Sequence, residues 1–287
     1  MKQPAYSKDT FYNNDFLVTL VAQSPACLKI KSPRDSKVLD AMRKVDRKIF
    51  LDDIIIKSCV SEPDVISALA IAWREIELLD LGLVTPITKQ DPGKPYRIAL
   101  MCIPILLRNT RILQIPASLL AYNDFPLPIG YEQGCTQPSL VALMNDLLEL
   151  KEGQRVLEIG TGCGYHSAVT LELIGPSGKL TTLERIPELA AKSKRNLENH
   201  FGSLDGRIDV VCADGSKGWK DNAPYDRIYL TAGVKGKFDL DIFFNQINKT
   251  DGVLVVPERE VLRVIRFKNG ELNEQIFGEV NFLGLHS

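Results

Sequence analysis

Gly-Gln-Arg-Val-Leu-Glu-Ile-Gly-Thr-Gly-Cys-Gly-Tyr-His, residues 153–166, is the stretch on which the fold turns. Within it 156–159 is a short apolar run, long enough for a buried strand. Gly160, Gly162 and Gly164 follow at alternate positions, and 165–174 has the apolar spacing of a helix. A strand running into a glycine-rich turn and then a helix opens a doubly wound sheet. Glycine is needed where the backbone takes positive φ or comes close to a ligand. A ligand is therefore expected at the carboxyl end of this strand, against the helix N-terminus.

The spacing narrows the ligand. A dinucleotide fingerprint, G-x-G-x-x-G, would need glycine at position 165, which is Tyr165. The pattern present is E-x-G-x-G-x-G, starting at Glu158. It resembles the first motif of class I S-adenosylmethionine methyltransferases, where the loop wraps an amino-acid and ribose moiety. By itself a glycine turn in any α/β protein reads equally well. Two further spacings add to it. A second strand, 179–183, ends at Glu184, twenty positions beyond Gly164, where a carboxylate can accept ribose hydroxyls. A third, 208–212, ends in Asp214-Gly215, where an acid can meet an adenine. Either acid alone reads as a cap or turn residue; three strand ends in order, each with its polar residue, do not.

Outward from this core, 224–231 reads as a fourth strand and 252–256 as a fifth. Residues 261–267, Asn269-Gly270 and 271–277 read as a hairpin with a two-residue turn, and 280–285 as an edge strand. Pro187 opens a helix that stops at Gly202, with Lys192, Lys194 and Arg195 on its solvated face and His200 near its end, where a cation is favoured. Upstream, 123–130 reads as an extended approach with fixed proline φ angles. Thr136 precedes an amphipathic helix carrying Leu140, Met144, Leu147 and Leu148, and is its expected N-cap. Residues 35–50 read as a helix with Val38, Leu39, Met42 and Val45 inward and Arg43, Lys44 and Arg47 on the opposite side. A helix is expected over 65–81 and turns over 85–95; 97–107 and 110–115 read as strands or as buried helix.

The organisation expected is an N-terminal helical region, 1–53, an insert of open role, 54–117, and a main domain, 118–287. The fold class is α/β, a doubly wound, mostly parallel, Rossmann-like sheet. With 287 residues, 45% hydrophobic and 25% charged, the composition is that of an ordinary globular protein. A formal net charge of −1 gives no global field favouring nucleic acid or an acidic membrane. The six cysteines show no C-x-x-C spacing and only three histidines accompany them, so neither a metal site nor a disulfide framework is expected. Cys163 and Cys212 read as small buried fillers, and Cys135 as packing without a depressed pKa. The polar start, 1–14, lacks the apolar core of a signal peptide, and the expectation is a cytoplasmic protein.

Taken together these residues resemble the protein-L-isoaspartate O-methyltransferases. Val-Asp-Arg-Lys-Ile-Phe at 45–50 is similar to the family's N-terminal helix exit, and Asp-Phe-Pro-Leu-Pro-Ile-Gly at 124–130 to its approach segment. Residues 133–138 occupy its substrate loop, 156–164 its first cofactor motif, and Asp214-Gly215 with 223–228 its later motifs. The resemblance implies methyl transfer from S-adenosylmethionine, with S-adenosylhomocysteine as product, to the carboxylate of L-isoaspartyl residues in damaged proteins. It implies that Thr136 holds that carboxylate. It implies cofactor contacts by Gln133, Gly134, Cys135, Ser139, Glu158, Gly160, Thr161, Gly162, Glu184, Asp214 and Gly215, Glu158 alternatively orienting loop N–H groups. No metal is implied; the expected partners are isoaspartyl proteins and peptides, not nucleic acid or membrane, and the expected state is a monomer. The chain departs from the family twice. Gly134, Cys135 and Thr136 stand where the family has Thr-Ile-Ser, and residues 54–117 interrupt a normally short connection, as an accessory domain or as translated non-coding sequence. Two other functions share the motifs: a carboxyl methyltransferase for a different peptide acceptor, and an S-adenosylmethionine-binding adaptor.

Overall fold

A computed structural model describes residues 13–24, 37–51, 55–59, 112–116, 121–204, 206–232, 239–258 and 261–277. The helix expected at 65–81, the turns at 85–95, the apolar run 97–107 and the edge strand at 280–285 lie outside them.

The strand expected at 156–159 is β5 (Arg155–Ile159), and it is central in a seven-stranded sheet. On one side it pairs in parallel with β6 (Lys179–Glu184), which pairs in parallel with β7 (Ile208–Cys212). On the other it pairs in parallel with β8 (Arg227–Leu230), and β8 with β9 (Val253–Glu258). The sheet finishes antiparallel through β10 (Val261–Lys268) and β11 (Glu271–Phe277). Asn269 and Gly270, at φ 50° and 87°, make the expected two-residue turn. Strand order thus runs outward in both directions from β5, so the cleft for a ligand opens beyond the carboxyl ends of β5 and β8.

Period-two alternation splits the core into two layers. Leu157, Ile159, Ile228, Leu230, Leu254 and Val256 face one side, where Phe243 and Ile247 cover them. Val156, Tyr229, Val253 and Val255 face the other, under the helices. Those helices are α1 (Asn14–Gln23), α2 (Lys37–Lys44), α3 (Pro138–Leu147), α4 (Tyr165–Ile174) and α5 (Pro187–Phe201). Leu17, Val21, Leu39, Met42 and Phe50 belong to the same buried cluster as Val156 and Val169.

Several local readings are corrected. The helix expected over 35–50 breaks at Val45, because the Asp46 side chain accepts from the Lys48 N–H at 3.0 Å and starts a 3-10 turn, Arg47–Phe50. Arg47, expected on the solvated side, is wholly buried. Thr136 is not the N-cap of α3: Gln137 holds that position, and its side chain caps no helix N–H. The orphan N–H of Ser139 donates instead to Asp124 Oδ1 at 2.7 Å, a cap supplied from fifteen residues away. The approach and substrate segments are a hairpin, β3 (Leu127–Gly130) against β4 (Gln133–Cys135), with Tyr131 and Glu132 at φ 55° and 58°. His200 is only partly exposed, and burial lowers its pKa, which works against the cation expected at this helix end. Cys212 is exposed rather than a buried filler; Cys163 is buried as expected.

Residues 110–115, open between strand and helix, overlap β2 (Ile112–Pro116). It pairs antiparallel with β1 (Ile55–Cys59), from Ile55↔Pro116 to Cys59↔Ile112.

Candidate active site

The loop between β5 and α4 takes its shape from its glycines. Gly160, Gly162 and Gly164 have φ of 99°, 57° and 91°. A Cβ on Gly160 would lie 2.3 Å from Thr231 Oγ1, and one on Gly215 2.4 Å from Ile159 Cγ2. Neither site admits a side chain without displacing the end of β5 or β8. Gly160 and Thr161 also donate their N–H groups to the Leu183 carbonyl, at 2.8 and 3.2 Å, which pins the loop to the end of β6.

The acids divide the remaining work. Glu184 accepts from the Gly162 N–H at 2.9 Å and the Ile186 N–H at 3.0 Å, so it is Glu184, not Glu158, that orients the loop amide. Glu158 is fully buried beneath α4. It accepts from the Ser167 hydroxyl and from Thr182 Oγ1 at 2.7 Å, and Thr182 meets Thr161 Oγ1 at 2.6 Å. Among the described residues its Oε1 has no hydrogen-bond partner. Burial pushes the Glu158 carboxyl up to about 7, against the opposing hydroxyls of Ser167, Thr182 and Tyr229. Asp214, at the end of β7, is exposed; hydrogen bonds from the Ser216 N–H and hydroxyl hold its pKa below the ordinary carboxylate value. The Ala213 N–H donates to the Glu184 carbonyl, joining the ends of β6 and β7.

The hairpin leans on this loop: a Cβ on Gly162 would touch Ile129 Cδ1 at 3.3 Å. Within β4, Gln133 turns its amide back to the Tyr131 carbonyl, at 3.2 Å. The hairpin is anchored by Arg47. Its Nη1 donates to the carbonyls of Ala121 and Asn123, at 3.2 and 2.9 Å, and its Nη2 to those of Phe125 and Thr136, at 3.0 and 3.4 Å. Nη2 also lies 3.6 Å from Cys135 Sγ. Cys135, expected as inert packing, is therefore beside a buried cation. The Cys163 thiol and, second to it in favour, the guanidinium depress the Cys135 pKa against the opposing effect of burial.

Of the expected site residues, then, Gly160–Gly162, Glu184 and Gly215 meet at the carboxyl ends of β5, β6 and β7, with Asp214 on their rim. Gln133–Cys135 form β4 of the hairpin whose Ile129 meets Gly162, Thr136 follows it with its carbonyl on Arg47, and Ser139 lies in the first turn of α3. Sequence reasoning gave no role to Arg47, Asp124 or Thr231. An arginine in a basic amphipathic segment reads as solvated, and only the run of carbonyls it gathers, from 121 to 136, identifies it. Among the described residues no three His, Cys, Asp or Glu side chains form a metal-binding group, and no helix is long and apolar enough to cross a membrane.

A family model described as protein-L-isoaspartate(D-aspartate) O-methyltransferase matches residues 102–287. A protein-L-isoaspartate O-methyltransferase of Methanococcus vannielii is 47% identical over 169 residues, covering 58% of this chain and 78% of its own. A protein-L-isoaspartate O-methyltransferase 1 of Archaeoglobus fulgidus is 45% identical, covering 58% and 76%. Among solved structures, one described as a protein-L-isoaspartate O-methyltransferase from Plasmodium falciparum with S-adenosyl-L-homocysteine superposes with a TM-score of 0.61. It covers 96% of this chain and 99% of that one at 17% identity, a likeness of fold.

Proposed function

The chain belongs to the protein-L-isoaspartate(D-aspartate) O-methyltransferase family, and from that premise we propose how its own residues divide the work. The activity is a repair reaction, transfer of a methyl group from S-adenosylmethionine to the carboxylate of L-isoaspartyl residues in damaged proteins. The residues around the glycine loop suit that cofactor. Among the described residues the buried Glu158 Oε1 lacks a partner, and the carboxylates of Glu184 and Asp214 suit a ligand bearing a sulfonium and an ammonium.

When bound, S-adenosylmethionine supplies an electrophilic methyl group. The protein's part is alignment and exclusion of water. A substrate carboxylate has a pKa of about 4 and is ionised at neutral pH, so no strong general base is required. Gly160, Thr161 and Gly162 form the cradle, and Glu184, already fixed by two N–H groups, retains lone pairs for ribose hydroxyls. Asp214 and Gly215 close the adenine side, and Ser139 with Gln133, Gly134 and Cys135 the hairpin side. Among the described residues none hydrogen-bonds the Thr136 hydroxyl, which with nearby N–H groups holds the acceptor carboxylate. Holding it too tightly would stabilise the ground state instead. The protein works as a cytoplasmic monomer, without nucleic acid or membrane.

The observation that carries this reading is the hairpin standing against the cofactor loop, Ile129 on Gly162. The test is incubation with methyl-labelled S-adenosylmethionine and an isoaspartyl peptide or its aspartyl twin. Base-labile methanol is expected from the first alone. Equal release from both peptides would mean a different acceptor, and cofactor binding without transfer an adaptor.

A further inference from the structure

The Arg47 guanidinium holds both arms of the hairpin that leads into Thr136. On the incoming arm Nη1 donates to the carbonyls of Ala121 and Asn123, at 3.2 and 2.9 Å, and Nη2 to that of Phe125, at 3.0 Å. On the outgoing arm Nη2 donates to the Thr136 carbonyl, at 3.4 Å. β3 and β4 lie between these points, so the guanidinium closes the base of the hairpin. The pattern uses what a guanidinium has and an ammonium lacks. Planar donors at fixed angles reach alternate carbonyls of one arm and a further carbonyl of the other, whereas an ammonium offers its donors from a single point.

Stability alone does not call for this arrangement. Arg47 is 0% exposed, and among the described residues it makes no ion pair. An apolar side chain of similar volume often serves a fold as well as a buried charge does, or better. What the guanidinium adds here is geometry: it fixes the two arms relative to each other.

The cofactor loop is held by a different set of bonds. Gly160 and Thr161 donate their N–H groups to the Leu183 carbonyl, and Gly162 donates to Glu184. Thr231 Oγ1 donates toward the carbonyls of Ile159 and Gly160. None of these partners belongs to the hairpin. Asn196 ties the turn that carries Arg47 to the loop, its Nδ2 donating to the carbonyls of Phe50 and Cys163 at 3.4 and 3.0 Å. That tie runs through the main chain of the turn, so a new side chain at position 47 leaves it in place.

We propose that Arg47 is a positioning residue for the acceptor half of the site: it sets where the hairpin delivers Thr136, and it leaves the cofactor cradle to other bonds. The proposal deepens the reading above and rests on it for the role of Thr136. Lysine at 47 would keep the charge without the planar fork, and methionine would keep neither. In both, the base of the hairpin loosens and Thr136 loses its fixed place opposite the methyl donor.

The experiment compares full-length wild type, Arg47→Lys and Arg47→Met. Both variants should lose about ten- to a hundredfold in kcat/KM for an isoaspartyl peptide, the scale of a small misplacement of a reacting group. Calorimetry should give an affinity for S-adenosylhomocysteine within about twofold of wild type, because the two sets of bonds share no partner. Hydrogen exchange should quicken across 121–139 and stay as in wild type across 153–166. Cofactor affinity that falls as far as turnover would overturn the proposal, because Arg47 would then serve the fold as a whole. A lysine variant that no longer unfolds cooperatively would overturn it for the same reason. Wild-type kinetics in Arg47→Lys, or unchanged exchange at 121–139, would show that the hairpin does not depend on the fork. A wild-type protein inactive on the isoaspartyl peptide would count against the site reading, while exchange and cofactor affinity would still judge the positioning.

Discussion

At the scale of single residues, the site is held by shapes that one atom disturbs. Gly160→Ala places a methyl group 2.3 Å from Thr231 Oγ1 at a φ of 99°. The strained backbone alone costs about 1–3 kcal/mol, and the collision adds to it. The expected outcome is a lower Tm and cofactor affinity reduced at least tenfold by calorimetry. Thr136→Ala should lower turnover about ten- to a hundredfold by removing one hydrogen bond to a charged group, whereas Thr136→Ser should retain or raise it. Wild-type turnover in Thr136→Ala would take the hydroxyl out of the mechanism. Glu158 makes a prediction in pH. Its carboxyl titrates near 7 in the folded protein against 4.5 ordinarily, so the native state keeps a proton that the unfolded chain has lost. This contribution to stability is whole below 4.5, falls as pH rises to 7 and is constant above. The swing is on the order of 3 kcal/mol. Denaturant unfolding from pH 5 to 8 should show that decline in the wild type and a flatter profile in Glu158→Gln.

At the scale of elements, the head of α3 depends on a residue that is not its neighbour in sequence. Asp124→Ala removes the acceptor for the Ser139 N–H and for the Gln137 amide, at 2.7 and 3.4 Å. The expected loss is about 0.5–2 kcal/mol, the value of an N-cap, with Asp124→Asn restoring part of it in the same denaturation curves. That cap shows why the strands of the sheet were legible and the hairpin was not. β5, β6, β7, α4 and α5 were readable because periodicity and glycine, proline and acid punctuation are local signals. So was the β10–β11 turn, whose Asn-Gly pair adopts positive φ easily. The β3–β4 turn puts Tyr131 and Glu132 in the same region, residues that carry no such preference, so 123–136 read as extended chain and loop. The long-range cap and the burial of Arg47 are tertiary facts. Nothing at positions 45–50 distinguishes an arginine that gathers the carbonyls of 121–136 from one that faces water. The acids at the strand ends were legible as acids, but their partners were not: Glu184, not Glu158, took the loop N–H.

At the scale of the whole molecule, the sequence division at 54–117 meets one physical fact, the ladder between β1 and β2. Cys59 stands opposite Ile112, so the chain leaves toward residue 60 and returns from residue 111 at adjacent points. Whatever occupies 60–111, the ends it must join are as close as those of a hairpin. A two-residue Asn-Gly turn in place of 60–111 would therefore close the ladder without moving either strand. Loop-closure entropy favours the shorter connection, by about 0.6 kcal/mol for each halving of length. Among the described residues, α1, α2 and the Arg47–Phe50 turn pack on α3, α4 and α5 through residues outside the segment. The shortened protein is expected to fold with a Tm equal to or above that of the full chain. Its turnover on a small isoaspartyl peptide should lie within about threefold, since every residue assigned to the cradle and hairpin is retained. A difference confined to large damaged proteins, as a raised KM with kcat unchanged, would assign the segment to acceptor selection. Failure of the shortened chain to fold, with the ladder closed by a favourable turn, would mean instead that 60–111 supplies part of the core.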